Sequence, residues 1–216
     1  MSRSRPTAAL LAVLVAALIA AGCSIGDDGP TRSQTRDVAR FTRVANDASV
    51  EVRVRVGAPQ RVEVHAGEKV IDDVRTAVHD GTLEVTFDHH GFGGDPVVVE
   101  ATVPRLTAID VSGSGDVHVD GVSANALEIR SDGSADVTVR GAAGRLELDM
   151  DGSGDADLAD LRAATAHVEM GGSGDADVRA EQRLEVTVDG SGDLRYHGDP
   201  ELERHVDGSG GVSRVG

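Results

Sequence analysis

Apolar and polar residues alternate along most of this chain. In segments such as 50–56 and 83–87, Val, Leu or Phe stands at every second position. A period of two is typical of strands that bury one face against a core. Helical spacing is confined to one possible turn near residues 68–74. The pattern therefore predicts an all-β protein.

A short phrase built on Gly-Ser-Gly marks a longer period in the second half of the chain. Its six copies, the second with Ala and the last without the final Asp, are residues 112–116, 132–136, 151–155, 171–175, 189–193 and 207–211, and their first glycines recur every 18 to 20 residues. A unit this short must stack on its neighbours to bury its apolar face. We predict a flattened right-handed parallel β-solenoid, in which equivalent residues of successive rungs form columns.

Each rung is expected to hold two short strands, joined by a Gly-Ser-Gly corner on one side and a looser loop on the other. Glycine is expected at the corner because a tight turn requires a positive φ. The corner glycines are Gly113, Gly115, Gly133, Gly152, Gly154, Gly172, Gly174, Gly190, Gly192, Gly208 and Gly210. The aspartates that close five phrases should stack about 4.8 Å apart. Backbone N–H groups, serine hydroxyls or weakly held divalent cations would then relieve their repulsion.

The N-terminal part of the predicted domain has strand-like segments but no Gly-Ser-Gly phrase. We expect residues 37–216 to form one domain, with irregular rungs over 37–104 that cap one end and regular repeats over 105–216. At the other end, Arg204 and Arg214 place charge on the last rungs and would blunt an open sheet edge. Pairing of two molecules at that edge is the alternative.

The first residues have the pattern of an export signal. Residues 1–22 combine two arginines with an apolar stretch, and they end before Cys23, the single cysteine. This arrangement resembles a bacterial lipobox, which predicts lipid attachment at Cys23 and a flexible tether over residues 23–36. Cleavage without lipidation is the alternative. We expect an exported protein, lipid-anchored on the extracytoplasmic side of a bacterial membrane.

The charge balance narrows the choice of partners. The chain has 37 acidic and 21 basic residues, for a net charge of −16. Nucleic-acid binding requires clustered Lys and Arg, so this class of partner is not expected. An acidic surface could instead serve solubility, cations or a basic partner.

Several segments resemble the bacterial family of putative autotransporter adhesins called the head GIN domain. They are Val38 to Val44, Val62 to Gly67, Asp80 to Val85, Val103 to Leu106, the Ser-Gly-Ser-Gly-Asp phrases and the closing Gly192 to Pro200. The resemblance covers residues 37–213. It implies a β-helix with tight Gly-Ser-Gly turns between two sheets, no recognised catalytic residues and an adhesion role at the cell surface.

One segment also suggests calcium. Oxygen-bearing side chains stand at positions 1, 3, 5, 7, 9 and 12 of a twelve-residue loop with glycine at position 6, as in an EF-hand. They are Asp149, Asp151, Ser153, Asp155, Asp157 and Asp160. The last ligand is Asp rather than Glu, and the flanks read as strands rather than helices. The alternative is that these aspartates cap corners and keep the surface soluble.

Catalysis has little support in the sequence. A serine repeated in six equivalent corners is structural, and paired carboxylates are trivially found among so many acids. His89 and His90 lie in a glycine-rich tip and would need further metal ligands from elsewhere. We therefore predict a non-catalytic surface lipoprotein that serves adhesion or scaffolding, with a protein or glycan partner and no cofactor except possible Ca²⁺. The second hypothesis is a calcium-responsive binding module, and the third is a polysaccharide-acting enzyme.

Overall fold

The structure, a computed structural model, describes residues 28–88 and 95–215. Cys23, the signal segment and the pair His89–His90 lie outside these ranges. No helix that could cross a membrane is found in the described part. The strands are β1 Thr31–Arg36, β2 Arg43–Asn46, β3 Glu51–Val56, β4 Arg61–Gly67, β5 Val74–His79, β6 Thr82–Phe87, β7 Val98–Val103, β8 Ala108–Val111, β9 Val117–Ser131, β10 Val137–Met150, β11 Ala156–Met170, β12 Ala176–Val188, β13 Leu194–His197, β14 Glu201–Val206 and β15 Val212–Arg214.

The strands form a parallel β-solenoid of about five turns. The first layer has the order β5-β6-β2-β8-β9-β10-β11-β12-β14, and the second has the order β1-β4-β7-β3-β9-β10-β11-β12-β13-β15. Strands β9 to β12 belong to both layers, because each bends midway and contributes one half to each. The predicted fold class is thus confirmed.

Strand register confirms the apolar columns that the repeat predicts. Ile129 pairs with Leu148, Leu148 with Val168 and Val168 with Val186 on successive rungs. These four residues are at most 1% exposed. Parallel strands in register bring identical positions together, so one apolar choice repeated in sequence fills one column of the core. Val, Leu, Ile, Ala and Met fill most of the space between the layers.

The corner glycines are required for a different reason from the one predicted. Among the glycines of the described part, positive φ angles occur at Gly29, Gly81, Gly121, Gly141 and Gly198, and none of these lies in a Gly-Ser-Gly phrase. Instead, a Cβ on Gly152 would overlap the carbonyl oxygen of Gly133, and one on Gly172 that of Gly152. The expectation of positive φ at these corners is wrong. Glycine is needed because the rungs approach too closely for a side chain.

The first corner of the stack supports this explanation. Residues 47–51 read Asp-Ala-Ser-Val-Glu and occupy the corner equivalent to 112–116. Ala48 and Val50 replace the two glycines, and their carbonyls lie under Gly113 and Gly115. Strands β2 and β3 pair with β6 and β7 on their other side, and the sequence between β6 and β7 has no Gly-Ser-Gly phrase. Asn46 holds this corner from inside, with its Nδ2 donating to the carbonyls of Val50 (3.0 Å) and Gly115 (2.7 Å).

The opposite edge is not the loop that the sequence suggests. Pairing continues through it, so each predicted pair of short strands is one long bent strand, with register shifts such as that between Val139 and Gly141. Gly121, Gly141 and Gly198 lie along this edge with φ values of 80°, 138° and 100°. The conformational freedom of glycine is therefore used at this edge.

The N-terminal strands form irregular rungs whose order departs from chain order. Strands β2 and β3 lie between the β6–β7 and β8–β9 rungs, and β4 and β5 pair antiparallel at the outside. β5 and β6 form a hairpin through Asp80 and Gly81, both with positive φ.

The predicted tether is too long. Residues 31–36 form β1, which pairs antiparallel with β4. Its residues are polar and almost entirely exposed. Strand β1 is thus held by backbone pairing with β4, which apolar periodicity does not reveal.

On the last rung, two apolar columns continue into arginines whose side chains are exposed. The column that holds Ile129 and Val186 continues to Arg204, whose Nη1 donates to the carbonyl of Val212 at 3.3 Å. Arg214 similarly continues the column of Val178 and Tyr196. Charge at core positions discourages another strand from adding to a sheet edge.

The corner geometry leads to a prediction for one substitution at two neighbouring positions. We expect Gly172→Ser to lower the free energy of unfolding by about 1–3 kcal/mol, because its Cβ overlaps backbone that other rungs hold in place. Gly171→Ser is the control, because an added Cβ there meets only the Asp151 side chain and Ser112 already stands at the equivalent place. Urea unfolding of both variants tests this, and equal stabilities would contradict it.

Candidate functional site

The closing aspartates of the phrases form a hydrogen-bonded ladder along the corner edge. Each carboxylate accepts the backbone N–H of the equivalent residue one rung further on. The links are Asp136 N to Asp116 (3.0 Å), Asp155 N to Asp136 (2.9 Å), Asp175 N to Asp155 (2.8 Å), Asp193 N to Asp175 (2.8 Å) and Gly211 N to Asp193 (2.7 Å). The predicted stack of aspartates is present, and backbone donors stabilise its charge.

These carboxylates complete the backbone pairing of the corner. The carbonyl of Asp136 already accepts the N–H of Val117 at 2.9 Å, and that of Asp155 accepts the N–H of Val137 at 2.8 Å. The carboxylate of Asp136 therefore accepts the N–H of Asp155, the equivalent aspartate on the next rung. An aspartate that recurs in every corner is explained by this structural bond.

The six predicted calcium ligands do not converge. They follow one rung from the first layer, around the corner edge, across the second layer and to the opposite edge. Asp149 lies at the end of β10, whereas Asp160 lies beyond the second layer with its Oδ2 3.5 Å from Nε of Arg140. Asp155 is engaged in the ladder. Within residues 28–88 and 95–215, no group of three or more His, Cys, Asp or Glu side chains is arranged to hold a metal.

The surroundings of Asp149 shift the pKa of its carboxyl group. Partial burial raises its pKa above the ordinary value, and repulsion from Asp151, Glu169 and Asp132 adds to the effect. Arg130, its register partner on β9, acts in the opposite direction. The folded state therefore disfavours the ionised form of Asp149.

A groove of about 420 Å³ crosses four strands of the second layer, β7, β3, β9 and β10. We call it the arginine groove. Its outward side chains form two rows in register, one along Glu100, Arg53 and His118, and one along Thr102, Arg55, Asp120 and Arg140. Alternation places these polar residues outward, because Val52 and Val54 between them face the core.

Ion pairs engage the arginines of the groove unequally. Arg53 forms a two-pronged bond with Glu51 (2.6 and 3.0 Å), which raises its pKa and keeps it cationic. Arg140 lies 3.6 Å from Asp120. The Arg55 side chain is exposed and has no hydrogen bond or ion pair to any residue the structure describes. Its guanidinium donors remain open.

The sequence pattern does not predict this groove. The segment 50–56 signals a strand, and its arginines are the outward half of the alternation. Their neighbours could not be identified from the sequence, because β3 lies between β7 and β9 although β4 to β6 follow it in the chain. A run of two outward arginines in an acidic chain was the only available signal.

These features define a parallel β-solenoid with stacked corners and rows of charged side chains on its outer faces. The chain belongs to the family described as "putative auto-transporter adhesin, head GIN domain", whose model matches residues 40–200. The resemblance seen in the sequence is thereby confirmed. No curated protein matches the chain significantly.

Solved structures share the fold. A "putative adhesin" from Bacteroides fragilis NCTC 9343 has a TM-score of 0.73 at 20% identity, covering 86% of this chain and 97% of its own. From Parabacteroides distasonis ATCC 8503, a "putative adhesin" at 22% identity and a "putative lipid binding protein" at 19% each have a TM-score of 0.52 and cover 88% of this chain and 98% of their own. At these identities the similarity concerns the fold alone.

The aspartate ladder leads to a prediction at Asp155. We expect Asp155→Ala to destabilise the protein by about 1 kcal/mol or more, because the N–H of Asp175 loses its acceptor. Asp155→Asn keeps an oxygen at this place and should cost less. Asp151→Ala is the control, because no described residue donates to that carboxylate. Thermal unfolding measures all three, and an equal loss for Asp155→Ala and Asp151→Ala would contradict the role of the ladder.

The raised pKa of Asp149 leads to a prediction about pH. Above its ordinary pKa of 3.8 the unfolded carboxyl ionises readily, whereas the folded one resists ionisation, so stability is lost as pH rises through the folded value. We expect Asp149→Asn to raise the Tm at pH 7, and this gain to vanish below the ordinary pKa. Thermal unfolding of both proteins across pH 3–7 tests this; a gain that does not change with pH would contradict it.

Proposed function

We propose that this protein is a non-catalytic, membrane-anchored binding protein of the bacterial cell surface, with an adhesin-like role. The observation that carries the proposal is the rung-on-rung register, which directs every second side chain outward in rows over two broad layers. Such surfaces are suited to extended partners, as in other solenoids. Membership in an adhesin family supports the same role.

Repetition favours binding over catalysis. A catalytic carboxylate needs surroundings unlike those of its neighbours, because its pKa and position must suit one task. In this chain the corner aspartates share one environment and one structural bond from rung to rung. The groove of about 420 Å³ on the described surface is open, and all its lining residues belong to regular strands. A polysaccharide-acting enzyme has no comparable support.

The anchor in this proposal is Cys23 with its attached lipid. Because β1 begins at Thr31, the linker is shorter than the sequence alone suggests. The carbonyl of Asp28 already accepts the N–H of Lys69 at 3.0 Å, so only residues 24–27 would separate Cys23 from the cap, over about 14 Å at most. The N-terminal cap would therefore stay near the membrane, and the repeats would project their faces to partners outside the cell. Protein or glycan is the partner class that we propose, since the net charge of −16 disfavours nucleic acid.

Adhesion by cells that display the protein tests this function. We expect bacteria expressing the full-length chain to adhere more strongly to envelope- or matrix-coated surfaces than cells without it, since a folded surface protein adds contacts. Cys23→Ser is the matched control, because the same domain would be released instead of anchored. Retained cells are counted after washing, and Cys23 lipidation is followed with a labelled fatty acid.

Two results would contradict the proposal. Equal adhesion with and without the protein would remove the adhesin-like role. Full adhesion and full membrane retention of Cys23→Ser would contradict anchoring through Cys23. Adhesion tests the adhesin-like role and membrane retention tests the anchor, so the two failures can be distinguished.

A further inference from the structure

The arginine groove gathers three arginines on the surface of a chain whose net charge is −16. Two carboxylates line it with them, and Glu51 and Asp160 beside it pair with Arg53 and Arg140, so Arg55 is the arginine whose charge is left for a ligand. Its volume of about 420 Å³ lies in the range of small-ligand sites, ~300–1,000 Å³. An anionic ligand that most of this surface would repel could approach here.

Arg55 is the residue best placed to receive an anion. Its register partners are Thr102 on β7 and Asp120 on β9, so a hydroxyl flanks it on one side and a carboxylate on the other. Arg53 is engaged by Glu51 and Arg140 faces Asp120, whereas Arg55 has no partner among the described residues. A guanidinium binds a carboxylate through two parallel hydrogen bonds.

The carboxylates beside the arginines indicate what else the ligand must carry. Glu100 lies 3.8 Å from Arg53, and Asp120 lies 3.6 Å from Arg140. When ionised, both carboxylates can only accept further hydrogen bonds, so ligand groups that donate are favoured beside them. Phosphate and sulfate groups offer acceptors alone and would be repelled by these two side chains. A sugar acid offers one carboxylate for Arg55 together with hydroxyl groups that donate to Glu100 and Asp120.

We propose that the arginine groove binds a carboxylate-bearing saccharide, a uronic acid unit of an acidic polysaccharide. The inference rests on the proposed adhesin-like function and names the partner class for it. Arg55 binds the sugar carboxylate, and Glu100 and Asp120 accept its hydroxyl groups. Thr102 offers a further hydroxyl beside Arg55.

Binding of the full-length protein to immobilised polygalacturonate tests the proposal, with fully methyl-esterified polygalacturonate as the matched neutral polymer. We expect the charged polymer to bind and the ester to bind at least about tenfold more weakly, because the ester lacks the anion that Arg55 receives. Arg55→Gln should weaken binding of the charged polymer by a similar factor. Dextran sulfate should bind less well than polygalacturonate, and Asp120→Asn should narrow that difference.

Arg105→Gln is the control variant. Arg105 is also exposed and without a partner among the described residues, and it lines a different groove of about 390 Å³. Its loss should leave polygalacturonate binding within about twofold of the unmodified protein. Equal weakening by Arg55→Gln and Arg105→Gln would overturn the assignment, since it would mean a general charge effect. Stronger binding of dextran sulfate than of polygalacturonate would overturn the ligand class.

The adhesion assay separates this inference from the function on which it rests. If Arg55→Gln cells adhere as well as unmodified cells while the protein itself promotes adhesion, the function stands and the groove is not its contact surface. If neither the unmodified protein nor any variant promotes adhesion, but polygalacturonate still binds through Arg55, the saccharide site stands and the adhesin-like role is contradicted. If polygalacturonate does not bind, and Arg55→Gln instead disrupts a stable complex with an acidic peptide or with a second copy of the chain, the assignment of a saccharide ligand is overturned.

Discussion

The close approach of successive corners is the constraint on which the rest of the structure depends. At each Gly-Ser-Gly corner, a carbonyl oxygen of one rung lies where a Cβ of the next would stand. Only glycine fits this stacking at most positions. Ala135 shows that a methyl group is accommodated in one corner, and Ala48 and Val50 stand in the corner that begins the stack. Because the corners stack tightly, the strands between them stay in register and the apolar columns meet.

The same stacking determines the charge pattern of the surface. One corner sequence repeated over the rungs brings like aspartates together, and their repulsion would be costly if they had no donors. The backbone N–H of each following aspartate provides one, at 2.8–3.0 Å. The acidic corner edge thus has a structural explanation. On the second layer, Arg55 faces outward beside β9 without a partner among the described residues.

The local sequence pattern does not explain why glycine and aspartate occupy the corner positions. Glycine in a turn suggested positive φ, yet the glycines with positive φ lie elsewhere, as at Gly121 on the opposite edge. Oxygen-bearing residues at EF-hand spacing suggested calcium, yet a strand-flanked corner distributes them over two layers and both edges. The decisive contacts of the corner glycines and of Asp155 are made with neighbouring rungs, which the spacing within one rung does not show.

The sequence by itself determined the solenoid, the apolar columns and the aspartate stack, because strand period and repeat phase are local and recur in every rung. Even Arg204 was recognisable as the charged member of an apolar column. Only the tertiary structure decided the insertion of β2 and β3, the pairing of β1, and the arginine groove. Those features depend on strands that meet out of chain order, and no local period encodes such a pairing. Arg55 gains its neighbours Thr102 and Asp120 from distant segments, so these three residues come together only in the folded protein.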